Sequence, residues 1–186
     1  MPRWHRRLSE RKAGPLEPRR AASRLSAYVY GNILVLAVVV VATGATITEG
    51  QAALVVLGTG VTTYVAHIFA DLLAHANIPE ARELDYGKLT REQTRTLARH
   101  ELRDAAPIIS SAAFPAIALA LGYHELIPSR AAQLLAGGIV VLRMGSVQIV
   151  TERVRGNPLS VGMVIGGVLT AAVAALIVLL KVFVGH

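Results

Sequence analysis

Five apolar stretches, each long enough to cross a lipid bilayer, take up most of this 186-residue chain. Hydrocarbon offers no water to a bare N–H or C=O, so a crossing segment must satisfy its backbone internally, as a helix of roughly 20 apolar residues does. The stretches cover about 26–48, 52–76, 105–123, 131–150 and 158–184. The expected fold is all-α: a polytopic integral membrane domain over 26–186 with five transmembrane helices, preceded by a basic tail over 1–25. A polar loop, 77–104, separates the second span from the third. At 53% hydrophobic and 17% charged, the composition suits a bilayer better than a soluble domain. With no cysteine, disulfides and thiolate metal sites are excluded.

Charge sets the expected orientation. Sixteen of the nineteen Lys and Arg residues fall in the tail, in the 77–104 loop or at Arg153 and Arg155, which five spans would place on one side. By the positive-inside rule that side is the cytoplasm, leaving the C-terminus outside. A chain rich in Ala, Val and Arg fits a GC-rich bacterium, so the expected location is a bacterial inner membrane. The net charge of +7 is read as topology rather than as a nucleic-acid surface, because no aromatic platform accompanies it. Trp4 and its Arg neighbours in the tail are expected to rest on anionic headgroups.

Within the loop, Thr90 and Gln93 match a capping box and predict a helix. Arg91, Arg95, Arg99 and Arg103 repeat every four residues and so form one basic stripe. Such a stripe suits anionic lipid or an acidic protein partner, and equally a solvated face beside the membrane.

Ionisable groups are costly within a span and often mark function. His67, Asp71 and His75 share one helix face of the second span at i, i+4, i+8. Imidazole and carboxylate ligate divalent transition metals and also relay protons, so a metal or proton site is one reading. The other is structural: Asp71 pairs with Arg143, a cation deep in the fourth span, and the histidines are hydrogen-bonded interface groups. Counted by depth, Tyr28, Tyr30 and Asn32 of the first span fall at the same cytoplasmic-half level. Ser110 and Ser111 of the third span and Gln148 and Glu152 of the fourth join them there. If these groups face one another, they line a vestibule, with Asn32, Ser110 and Glu152 as lining groups.

Gly162/Gly166, Gly167/Ala171 and Ala171/Ala175 in the fifth span follow a small-xxx-small pattern that lets a helix approach closely, within the chain or across a homo-oligomer. Gly137-Gly138 offers the fourth span a packing site, Pro115 is expected to kink the third, and Gly156-Asn157-Pro158 breaks the chain before the fifth. No phosphate-binding glycine loop, nucleophile elbow, HExxH or clear internal repeat is found.

Three stretches carry a resemblance to the vacuolar iron transporter family, and together they touch about a third of the chain. RLSAYVYGNILVLAVVVVATGA resembles that family's first span with its Gly-Asn motif. VAHIFADLLAH falls at the polar end of its second span, and GNPLSVGMVIGGVLTAAVAALIVLL is similar to its last loop and fifth span. The chain departs from the family at the first-span Asp, where Ile33 and Leu34 follow Asn32. It also departs in the cytoplasmic insert, which is shorter and charge-balanced here. The resemblance implies a homodimeric metal–proton exchanger.

The leading expectation is a non-enzymatic membrane protein, homo-oligomeric, that binds or moves a cation. His67, Asp71 and His75 would be central, Arg143 the internal counter-charge, and a divalent transition metal the candidate ion. The alternative is a membrane anchor whose Arg-striped loop binds lipid or a protein partner. An intramembrane lipid enzyme is a third reading, for which no nucleophile can be assembled.

Overall fold

A computed structural model describes residues 16–77, 91–155 and 161–184. Among them every regular element is a helix: α1 Pro18–Val41, α2 Gly44–Thr48, α3 Gln51–Asn77, α4 Arg91–Tyr123, α5 Ser129–Gly145, α6 Val147–Arg155 and α7 Val161–Val184. Three of them contain segments long and apolar enough to cross a membrane, at Arg20–Val41, Gln51–Ala74 and Ala98–Tyr123. Val164–Leu176 is a shorter apolar segment of α7. The chain is thus all-α and compatible with a membrane protein.

Helix boundaries follow local chemistry. Pro18 opens α1, where a missing N–H costs nothing and the fixed φ suits a first turn. The β-branched run Val38–Val41 ends it, and Ala42 and Thr43 are extended. Thr43 then caps α2 through a reciprocal box with Thr46. The first apolar stretch is therefore two helices rather than the continuous one expected over 26–48. The carbonyls freed at the break are met from another helix: Gln133 Nε2 of α5 donates to Val39 O (3.1 Å) and Ala42 O (2.8 Å). Gly50, at φ 77°, adopts the left-handed turn that leads into α3.

The loop helix and the third span form one element. α4 runs unbroken for 33 residues through Pro107 and Pro115. The fourth stretch, in contrast, is interrupted at Ser146, which separates α5 from α6.

α4 is the hub. It packs against α1, α3 and α5, while α7 packs mainly on α5. The crossings are made by glycines. A Cβ on Gly31 would lie 2.9 Å from Ile108 Cα, one on Gly60 2.6 Å from Ala112 Cβ, and one on Gly167 would run into the Gly145 carbonyl oxygen. Each places backbone against backbone or against a methyl group, as in tightly packed membrane helices. The Gly167/Ala171 pattern thus serves packing within the chain, since Ala171 also faces Gly145. Val35, Leu36, Val39, Val56, Leu119, Ala136 and Val140 form the apolar core. Outward, α3 exposes Leu54, Val61, Val65, Phe69 and Leu72, and α7 exposes Val164, Ile165, Val168 and Leu169.

Candidate polar site at the basic end

Antiparallel packing puts the start of α1, the end of α3, the first half of α4 and the end of α5 at one end of the bundle, here called the basic end. Four polar side chains from three helices meet in this half. Arg143 of α5 donates from Nε to Asn32 Oδ1 of α1 (2.8 Å) and from Nη2 to Ser110 Oγ of α4 (3.2 Å). Its guanidinium carbon lies 5.0 Å from the centroid of the Tyr28 ring, within cation–π range.

Each partner is itself held. Asn32 is completely buried, and its amide donates to Tyr28 O (2.7 Å), which fixes Oδ1 towards Arg143. The Ser110 hydroxyl donates to Pro107 O (3.0 Å), so its oxygen is free to accept from the guanidinium. Tyr28 OH donates to the Arg143 carbonyl (2.7 Å) and lies 2.9 Å from Ser146 Oγ. That carbonyl belongs to the last turn of α5, where intrahelical partners run out. The same few residues therefore cap α5 and orient its cation.

The pair expected between Arg143 and Asp71 is not what holds the arginine. α3 packs on α4 and α1, not on α5, so the two residues sit on helices that do not meet. Depth along the chain assigns a level but not a rotation, and the level alone suggested the pair. Asp71 instead lies 3.7 Å from His67 Nε2 on its own helix, a pairing that carries charge when the histidine is protonated. His67 faces a groove of about 480 Å³ between α1 and α3, with Tyr30, Thr62, Thr63, Ala66 and Ala70.

Among the described residues no three His, Asp or Glu side chains come together as a metal site. The side chains of His75, Glu152 and Arg91 lie outside what the structure describes, as do Trp4, the Thr90 cap and the Gly156-Asn157-Pro158 breaker. Arg95, Arg99 and Arg103 are exposed along α4. Ser111 does not reach the polar cluster: it is buried and its hydroxyl donates to Ile108 O (2.6 Å).

A second polar contact was not foreseen. Asp104, 5% exposed, accepts from Arg20 Nε (2.8 Å) and Nη2 (3.2 Å), with Arg24 Nη1 3.6 Å away. This forked pair ties α1 to α4 at the basic end. The sequence signal was present in two arginines one turn apart, but Asp104 counted only as a loop charge while the loop and the third span were separate elements.

Comparison with known proteins finds no match to any family model, curated sequence or solved structure.

Proposed function

We propose that the chain is an integral membrane protein of five spans that binds an ion in its basic half and moves it across the bilayer. One observation carries this reading: a guanidinium within the bundle, positioned by side chains from two other helices. A charge at membrane depth is costly, and where it occurs it usually lines a substrate path or a relay. Asn32, Ser110 and Tyr28 are committed to holding Arg143 rather than to filling space. His67 and Asp71, on the far side of α4, supply two groups of a proton or cation site, short of a full metal shell. The metal–proton exchange implied by the family resemblance would need further ligands, with His75 next in line on the same face.

The test is flux into proteoliposomes made with the full chain, challenged in turn with divalent cations and with phosphate across pH 5.5 to 8. Wild-type protein should give an ion-dependent signal above empty liposomes, and Arg143→Gln should lower it by about tenfold or more. Signals equal to those of empty liposomes for every ion would overturn transport.

A membrane anchor is the second reading, favoured by the continuity of α4. The exposed Arg95, Arg99 and Arg103 stand on the same rigid helix that forms the bundle hub. If anchoring is the role, replacing the three by Gln should abolish pulldown of a partner, or liposome binding, while Arg143→Gln leaves both unchanged.

A further inference from the structure

We infer that Arg143 is the centre of an oxyanion site that takes a phosphate group, presented either by an anionic lipid headgroup or by a small solute. The inference rests on the reading that the basic half binds an ion, and it assigns that ion's charge and class.

The geometry of the guanidinium points to it. Five N–H groups leave this planar fork, and two of its edges offer parallel pairs of donors. Nε and Nη2 form one edge, which Asn32 and Ser110 occupy. Among the described residues Nη1 makes no hydrogen bond, so the Nη1–Nη2 edge remains open. That edge matches two oxygens of a phosphate or carboxylate, the recognition for which arginine is suited above lysine. The Arg143 partners among the described residues are neutral: an amide oxygen, a hydroxyl and an aromatic face. They orient the cation without cancelling its charge.

The open edge is not fully enclosed. No buried side-chain nitrogen or oxygen among the described residues lacks a partner, so the edge is not sealed inside protein. Ser110 beside it is exposed, as are Ile109, Phe114 and Leu142. Depth favours a phosphate. Counted from Tyr123, Ser110 lies about 20 Å along α4, leaving roughly 10 Å of a 30 Å hydrocarbon layer below it. An arginine at that depth snorkels towards the headgroup phosphates of the nearer leaflet. Further towards that surface, Asp104 holds Arg20 in a forked pair and has Arg24 3.6 Å away, so both arginines already face a carboxylate.

The test uses the full chain in neutral phosphatidylcholine nanodiscs, with phosphatidic acid or inorganic phosphate added separately. Native mass spectrometry counts retained lipid and calorimetry follows phosphate. Wild type should retain phosphatidic acid over phosphatidylcholine, or bind phosphate, and Arg143→Gln should weaken this by about tenfold or more. Arg143→Lys, which keeps the charge but loses the fork, should fall between. Asn32→Asp keeps the side-chain shape but supplies an internal counter-charge, so binding should drop even where the fold is intact by circular dichroism. Lipid retention alone assigns the headgroup, and phosphate binding alone assigns the solute. Equal binding by wild type, Arg143→Gln and Asn32→Asp overturns the oxyanion site. If binding is absent while flux in proteoliposomes still depends on Arg143, the oxyanion inference fails and the ion-transport reading stands. If neither depends on Arg143, both fail.

Discussion

Asn32 is the residue on which the polar cluster turns, because it bonds at both ends while wholly buried. Replacing it by Ala strips Arg143 Nε of its acceptor and should cost about 1.5–3 kcal/mol, the range for a hydrogen bond to a charged group. Ser110→Ala should cost less, since its bond to Arg143 is longer and lies at an exposed position. Thermal unfolding in detergent, followed by circular dichroism, ranks the two. The Asp104 clamp has its own order. Replacing Arg20 and Arg24 together leaves a buried carboxylate unpaired, whereas Asp104→Asn removes the buried charge itself. The double arginine variant should therefore unfold at a lower temperature than Asp104→Asn, and the reverse order would show that the clamp is not what stabilises this end. Asn32, Ser110 and Arg143 were legible in the sequence because rise per residue sets depth. Their mutual contact was conditional on helix rotation, which a single sequence does not encode, and so the structural reading paired Arg143 with Asp71 rather than with Asn32 and Ser110.

Three of the helix crossings turn on glycines at which a side chain has no room. Gly31→Leu, Gly60→Leu and Gly167→Leu should each destabilise the bundle by about 1–3 kcal/mol through overpacking. Gly58→Leu on the open side of α3, where a Cβ meets nothing within 4 Å, should be near neutral. Equal loss of thermal stability at Gly58 and Gly60 would contradict the assigned rotation of α3. That every regular element among the described residues is a helix was readable from apolar length alone. The break at Ala42-Thr43 was not, because an apolar-run criterion does not register a Thr–Thr capping box or a glutamine supplied from a helix ninety residues away. Likewise, the polarity of 91–104 suggested a separate loop helix, while nothing in the local chemistry stops the turn-by-turn hydrogen bonding from entering the third span.

For the whole molecule, the five-span topology proposed above makes a direct prediction. The natural sequence contains no cysteine, so single-cysteine variants need no prior removal. Ala98→Cys should react with an impermeant maleimide only from the cytoplasmic side, and His124→Cys only from the other. Labelling of both from one side would refute the topology. The same molecule carries a mechanical consequence in α4. At 1.5 Å per residue its 33 residues reach about 50 Å, well beyond a hydrocarbon layer of roughly 30 Å. In the proposed topology the excess stands out of the bilayer. Pro107, which removes one rung of hydrogen bonding, is its natural pivot. Asp104, gripped by Arg20 one turn before that pivot, acts as a latch. Load on the arm before Pro107 would therefore pass through the Arg20–Asp104 pair before it reaches Ser110.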